Sequence, residues 1–265
     1  MSRIAGRFAE LKAAGRKALI PYITAGDPLK ASTVPLLHGM VEAGGDILEI
    51  GVPFSDPMAD GPAIQRASER ALKNGIGLPD VLGLVEQFRK KDSKTPIVLM
   101  GYANPIEAMG VEKFVAAAKA AGVDGVIVVD YPPEECGPFV ELCGKAGIDC
   151  IFLLAPTSTD ARIREVARAG TGYLYYVSLK GVTGVKTADA AEIATQLPRL
   201  RAASKLPIGV GFGIKDAESA RAIAKFSDAV IIGTRIVQEI ESAGAEHAVA
   251  RVKALLVPIR KALDS

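Results

Sequence analysis

Tryptophan is absent, histidine occurs twice and cysteine three times in 265 residues, and each scarcity removes a class of chemistry. His38 and His247 stand far apart in sequence, so the imidazole clusters of catalytic zinc sites and metal-dependent epimerases have no ligands here. Each histidine reads as a packing or solvent-facing residue of a helical segment. Cys136, Cys143 and Cys150 are odd in number and lack CxxC spacing, which makes them reduced structural thiols. No apolar run reaches the ~18 residues of a membrane-spanning helix, and the first seventeen residues are too interrupted by charge for a signal core. The expected location is therefore cytoplasmic. A formal charge of only +2, with Lys and Arg scattered through helical segments, argues against a nucleic-acid partner. GxSxG, HExxH and GxxxxGK[ST] are all missing, and the run from Gly209 to Ile214 lacks the third glycine of a dinucleotide fingerprint.

What is present is globular: 49% hydrophobic and 23% charged residues exclude disorder and suffice for a large core. Short apolar runs at residues 18–24, 46–52, 96–102, 125–129, 149–154, 172–177, 207–211 and 229–232 read as strands. Segments of helical period lie between them, at 111–121, 134–146, 160–169, 189–203 and 216–224. Strands this apolar need cover on both faces, and helical crossovers demand parallel pairing. Eight such units favour closure over an open doubly wound sheet, so the expected fold is one α/β domain over 1–265, a (β/α)8 TIM barrel. Three segments exceed a bare barrel: an N-terminal helix at 2–14, and insertions after strand two (51–91) and strand six (179–188). Both insertions follow strands and so belong to the face where barrels carry chemistry.

Alternation along residues 46–50 puts Ile47 and Glu49 on one face and Leu48 and Ile50 on the other. If the latter meet the helices, Glu49 points into the barrel, where lost hydration raises a carboxyl pKa and makes proton exchange near neutrality feasible. A structural ion pair is the competing reading. The loop that follows, 51–62, holds three prolines, two glycines and the acids Asp56 and Asp60. Asp56 reads as a turn former, and Asp60 as either a catalytic carboxylate or the N-cap of a helix starting near Pro62. Glycines at 181–184, 209–213 and 233 end the last three strands. Glycines there, with a helix starting just past Gly233, predict a phosphate site of backbone amides, against glycine for tight turns alone.

The segments Pro21-Tyr22-Ile23-Thr24-Ala25-Gly26-Asp27-Pro28, Leu48-Glu49-Ile50-Gly51-Val52-Pro53-Phe54-Ser55-Asp56-Pro57-Met58-Ala59-Asp60-Gly61-Pro62, Gly181-Val182-Thr183-Gly184 and Gly211-Phe212-Gly213-Ile214 together resemble the tryptophan synthase alpha-subunit family over nearly the whole chain. The resemblance implies a lyase converting indole-3-glycerol phosphate into indole and glyceraldehyde 3-phosphate. It implies Glu49 and Asp60 as the catalytic pair and Gly184, Gly213, Gly233 and Thr234 as the phosphate site. Tyr22, Met100, Val129, Leu153, Tyr175, Thr183 and Phe212 are the expected substrate contacts. It further implies no cofactor in this chain, and a beta-subunit partner carrying pyridoxal phosphate in an α2β2 assembly. Contacts with that partner are expected at Pro53, Phe54, Asp56, Asn104, Pro105 and residues 131–135. Three positions depart from the family's habit: Tyr22 for phenylalanine, Thr234 for serine, and Leu179, beside Lys180, for arginine. Two other readings stay open on sequence alone: another phosphate-dependent barrel aldolase or epimerase, and a catalytically silent activator of a beta subunit. The first lacks an inward strand lysine or histidine ligands; intact Glu49 and Asp60 speak against the second.

Overall fold

Alternation of side chains across short parallel strands builds this fold, seen in a computed structural model that describes residues 2–177, 190–211 and 213–265. The strands are β1 (Ala18–Thr24), β2 (Leu48–Gly51), β3 (Ile97–Gly101), β4 (Gly125–Val128), β5 (Asp149–Cys150), β6 (Phe152–Leu154), β7 (Leu174–Val177), β8 (Ile208–Gly211) and β9 (Ala229–Ile232). They pair in the order β5-β4-β3-β2-β1-β9-β8-β7-β6, and every pairing is parallel. The two ends of that order, β5 and β6, are halves of one extended segment parted by Ile151, whose N–H still donates to Val126 at 2.9 Å. The sheet thereby closes on itself as an eight-stranded barrel.

Two apolar layers follow from the alternation. Leu19, Ile23, Leu48, Ile50 and Leu99 pack with helix residues such as Leu36, Val85 and Phe114, whereas Ala18, Ile20, Ile47, Val98, Ile127, Ile151, Tyr173, Tyr175 and Ile231 fill the interior. The expected N-terminal helix forms as α1 (Arg3–Ala13), with Ser2 as its cap. Ile4, Phe8 and Leu11 of α1 join the interior cluster and plug the barrel's N-terminal end. Arg3 and Arg7 fasten that plug to the buried Asp124 and Asp46 at 2.6 and 2.5 Å.

The first insertion resolves into α3 (Pro62–Lys73) and α4 (Leu78–Arg89). Of these, α4 is the ordinary crossover helix, packed between α2 (Thr33–Glu42) and α6 (Val111–Ala121), and α3 is the addition, resting on β1 and on α11 (Thr234–Leu263). Helix α11 is broken at Gly244, whose φ of 67° only glycine adopts without strain. The helix expected from 134 begins at Gly137 in α7 (Gly137–Ala146), because Pro132 and the two amides hydrogen-bonded to its carbonyl form a turn over 132–136. Residues 179–188, the second expected insertion, lie outside the described residues. Among the described residues no helix is long and apolar enough to cross a membrane.

Candidate active site

The register that pairs Tyr22 with Glu49 and Gly51 with Met100 carries these side chains to the C-terminal mouth of the barrel. Glu49 is wholly buried and faces inward. Its Oε1 accepts a hydrogen bond from the Tyr173 hydroxyl at 2.5 Å, reaching from the opposite wall, and its Oε2 has no partner among the described residues. Loss of hydration raises the carboxyl to about 8, and the Tyr173 bond works against that rise. A strand carboxylate in a structural ion pair would show a cationic partner; Glu49 has a phenol.

Asp60 sits on the loop between β2 and α3. The N-cap of α3 is Gly61, with no side-chain cap, so the capping alternative for Asp60 is not what the fold uses. Its carboxylate instead accepts from the Tyr102 hydroxyl at 3.1 Å, and that hydroxyl accepts the Ala59 N–H at 3.0 Å. Burial raises Asp60 to about 6, less far than Glu49, with the Tyr102 bond opposing. Tyr22 and Tyr175 feel the charges of both acids, which together with burial keeps their hydroxyls protonated as neutral donors. The ring of Phe54 lies 5.2 Å from that of Tyr102, linking the exposed loop to the partner of Asp60.

Around these acids the wall is apolar. Met100, Val129, Leu153 and Val177 are partly exposed and border the interior cluster, and Tyr175 stands among them. Tyr22 packs with Ala63 and Ala67 of α3, Val237 of α11, and Met100. Two glycines of the 209–213 run have a use the sequence did not disclose. A Cβ on Gly211 would lie 2.4 Å from the Tyr175 hydroxyl, and one on Gly209 would lie 3.3 Å from the Tyr173 ring. They clear space for aromatic side chains, leaving Gly213, with φ of 44°, at the rim. Since β8 and β9 pair Gly211 with Ile231, Gly213 and Gly233 each lie two residues beyond that pair, at the ends of adjacent strands. Gly233 is the N-cap of α11, which has no side-chain cap, and Thr234 is exposed. Thr183, Gly184 and Phe212, the remaining expected contacts, lie outside the described residues.

Tyr173 and Tyr102 were not among the residues singled out from sequence. Tyr173 precedes β7 and alternates in phase with Tyr175, so the two-residue period was the available signal; Tyr102 offered none, because its link to Asp60 spans 42 positions. Of the two histidines, His38 stacks on Phe88 at 4.7 Å between centroids and His247 is exposed on α11. All three cysteines are free and buried.

Comparison with known proteins agrees with this geometry. The family model for the tryptophan synthase alpha chain matches residues 8–263. Tryptophan synthase alpha chains of Aromatoleum aromaticum and of Janthinobacterium are 61% and 60% identical, over all of this chain and 97% and 100% of theirs. A crystal structure of tryptophan synthase subunit alpha from Legionella pneumophila superposes with a TM-score of 0.93 at 46% identity, covering 100% of this chain and 99% of that one. A ligand-free tryptophan synthase structure from Mycobacterium tuberculosis gives a TM-score of 0.90 at 32% identity, covering the whole of both chains. With a buried strand carboxylate, a second acid on the following loop and full-length similarity, this chain belongs to the tryptophan synthase alpha chain family, the lyases that cleave indole-3-glycerol phosphate in tryptophan biosynthesis.

Proposed function

We propose that Glu49 and Asp60 divide the chemistry of that cleavage, and that the separation of their proton affinities assigns the roles. Breaking the bond between the indole ring and its carbinol carbon needs a proton delivered to ring carbon 3, a proton removed from the carbinol hydroxyl, and compensation for positive charge on the ring nitrogen. Glu49, held protonated by burial, gives its proton to the ring carbon. The carboxylate it becomes takes the hydroxyl proton as the carbon–carbon bond breaks, releasing aldehyde and restoring the ring. Asp60, ionised at neutral pH, accepts from the ring N–H and stabilises the cationic intermediate.

The observation that carries this reading is a fully buried carboxyl at the barrel mouth whose Oε2 has no partner among the described residues. Tyr22, Met100, Val129, Leu153, Tyr175, Thr183 and Phe212 would enclose the indole. Backbone amides at Gly184, Gly213, Gly233 and Thr234 would hold the phosphate, turning binding at the far end into orientation at the reacting end. Indole release from indole-3-glycerol phosphate should fall by about 10²–10⁴ in Glu49→Gln and in Asp60→Asn. Full activity in Glu49→Gln would remove its role.

The chain is further proposed to act as one cytoplasmic barrel domain over residues 1–265, joined in an α2β2 assembly to a beta subunit that holds pyridoxal phosphate and consumes the indole. Supporting this, Pro53, Phe54, Asp56, Asn104, Pro105 and residues 131–135 all follow β2, β3 and β4 on one end of the barrel, and Met58, in the same loop as the first three, is 82% exposed. Adding the cognate beta chain should raise alpha turnover, with native mass reporting the assembly; an unchanged rate would reject the coupling.

A further inference from the structure

Outside the reacting groups, four charged side chains form a continuous ladder across three elements. Asp27, in the loop after β1, is fully buried and accepts from Nε and Nη2 of Arg70 on α3 at 2.7 and 3.0 Å. The same guanidinium donates through Nη1 to Glu241 on α11 at 2.7 Å. Glu241 also receives a bidentate pair from Arg66, at 2.8 Å for both bonds. Arg66 and Arg70 lie one helical turn apart and so share a face of α3. Asn74, at the C-cap of α3, adds bonds to the carbonyls of Gly26 and Pro28.

Isolated surface ion pairs contribute little. This ladder differs in having bidentate geometry and one end rooted in the core, and each element it joins borders the site. Tyr22 comes from β1; α3 follows Asp60 directly and lays Ala63 and Ala67 on Tyr22; α11 adds Val237 to that contact and begins at Gly233. Besides the buried Pro53 and the contact of the Phe54 ring with Tyr102, the loop over residues 53–60 is held by few bonds. Its hydrogen bonds outside itself, among the described residues, are those of Ala59 and Asp60 with Tyr102 and of the Asp60 carbonyl with Gln65 of α3. Asp60 is thus held from two sides, by Tyr102 after β3 and by α3, which begins two residues on, so a shift of α3 moves the carboxylate against Tyr102. We propose that the ladder Asp27–Arg70–Glu241–Arg66 positions Asp60 by clamping α3 against β1 and α11.

This inference rests on the role given to Asp60 above. The groups facing Asp60 are the hydroxyls of Tyr102, Tyr22 and Tyr175; those around Glu241 are Arg66 and Arg70, with Glu69 acting on Arg66 and Asp27 on Arg70. A released α3 opens the Asp60 loop to water, and a rehydrated carboxylate ionises at lower pH.

The test is steady-state indole release by the full chain, with Glu241→Gln, Glu241→Asp and Arg66→Gln beside Asp60→Asn. Glu241→Gln should lower kcat about tenfold with KM within about twofold, as expected of misplacement without lost binding. The acid limb of its kcat/KM profile should move to lower pH, and Glu241→Asp should restore most of both. Arg66, half exposed, is replaced without burying an unpaired charge, so Arg66→Gln should shift both in the same direction by less. Unchanged kcat and an unmoved acid limb in Glu241→Gln and Arg66→Gln, beside an inactive Asp60→Asn, would overturn the ladder alone; full activity in Asp60→Asn would overturn the role of Asp60 and the ladder with it. Loss of melting temperature with the acid limb in place would also overturn it, by reducing the ladder to a scaffold.

Discussion

The Tyr173 hydroxyl donates to Glu49 Oε1 at 2.5 Å inside a barrel that gives that carboxyl no exposure to water. The bond stabilises the ionised form, while burial, the larger effect, stabilises the neutral one. The roles proposed for the two acids require Glu49 protonated and Asp60 ionised together, which would confine the competent state between about 6 and about 8. The kcat/KM profile of indole release should accordingly be bell-shaped with limbs near those values. Tyr173→Phe removes the donor, so the alkaline limb should move upward while activity stays within about tenfold of the parent. A downward movement would contradict the geometry.

The same displacement makes stability depend on pH. The folded Glu49 carboxyl, raised to about 8, lies above the ordinary 4.5 that the unfolded chain would show. Between these values unfolding releases a proton, so stability is fully present below the lower value and is lost as pH rises through the upper one, at about 1.4 kcal/mol per unit of displacement. Glu49→Gln has no such dependence. Urea melts of parent and variant should therefore show the variant gaining relative stability from pH 5 to about 8.5. Parallel curves would mean that Glu49 is not held neutral.

Gly51 is required by Tyr22, because a Cβ there would lie 2.0 Å from the tyrosine hydroxyl. Gly51→Ala should cost about 1–3 kcal/mol and raise KM by pushing the ring into the mouth. Combined with Tyr22→Leu, the alanine should be tolerated better than the sum of the two changes, by at least about 0.5 kcal/mol. Additive melting data would deny the clash.

At the opposite end of the barrel, Asp46 accepts from the Leu19 N–H at 2.9 Å, from Arg7 at 2.5 Å and from the buried Arg260 at 2.9 Å. Asp46→Ala leaves Arg260 without that countercharge and should cost about 3–5 kcal/mol. Its kcat at 25 °C should stay within about twofold, since this face carries stability rather than chemistry. A kcat that collapses in a folded Asp46→Ala chain would contradict that division.

Much of this molecule is local and therefore legible along the chain. Strand alternation put Glu49 inward because the two-residue period leaves no other option once Leu48 and Ile50 meet helices. Ser2, Thr159 and Asp216 cap helices where the periodic segments predict their starts. The role of Asp60 was open between cap and catalyst, since both readings place an acid before Gly61-Pro62. Only the path of the loop, which leaves Gly61 as the cap and turns the carboxylate to Tyr102, sets the capping reading aside.

The order of strands and helices, and with it the closed barrel, was set by hydrophobic period, which a chain must satisfy residue by residue. Which glycine serves a ring and which stands at the rim, and which hydroxyl meets each acid, depended on distances between segments separated by 36 to 124 positions. Such distances arise only when the sheet closes and burial strips water from the groups it brings together. That loss of water, a property of the assembled barrel and not of any residue in it, parts the proton affinities of two carboxyls that begin nearly alike.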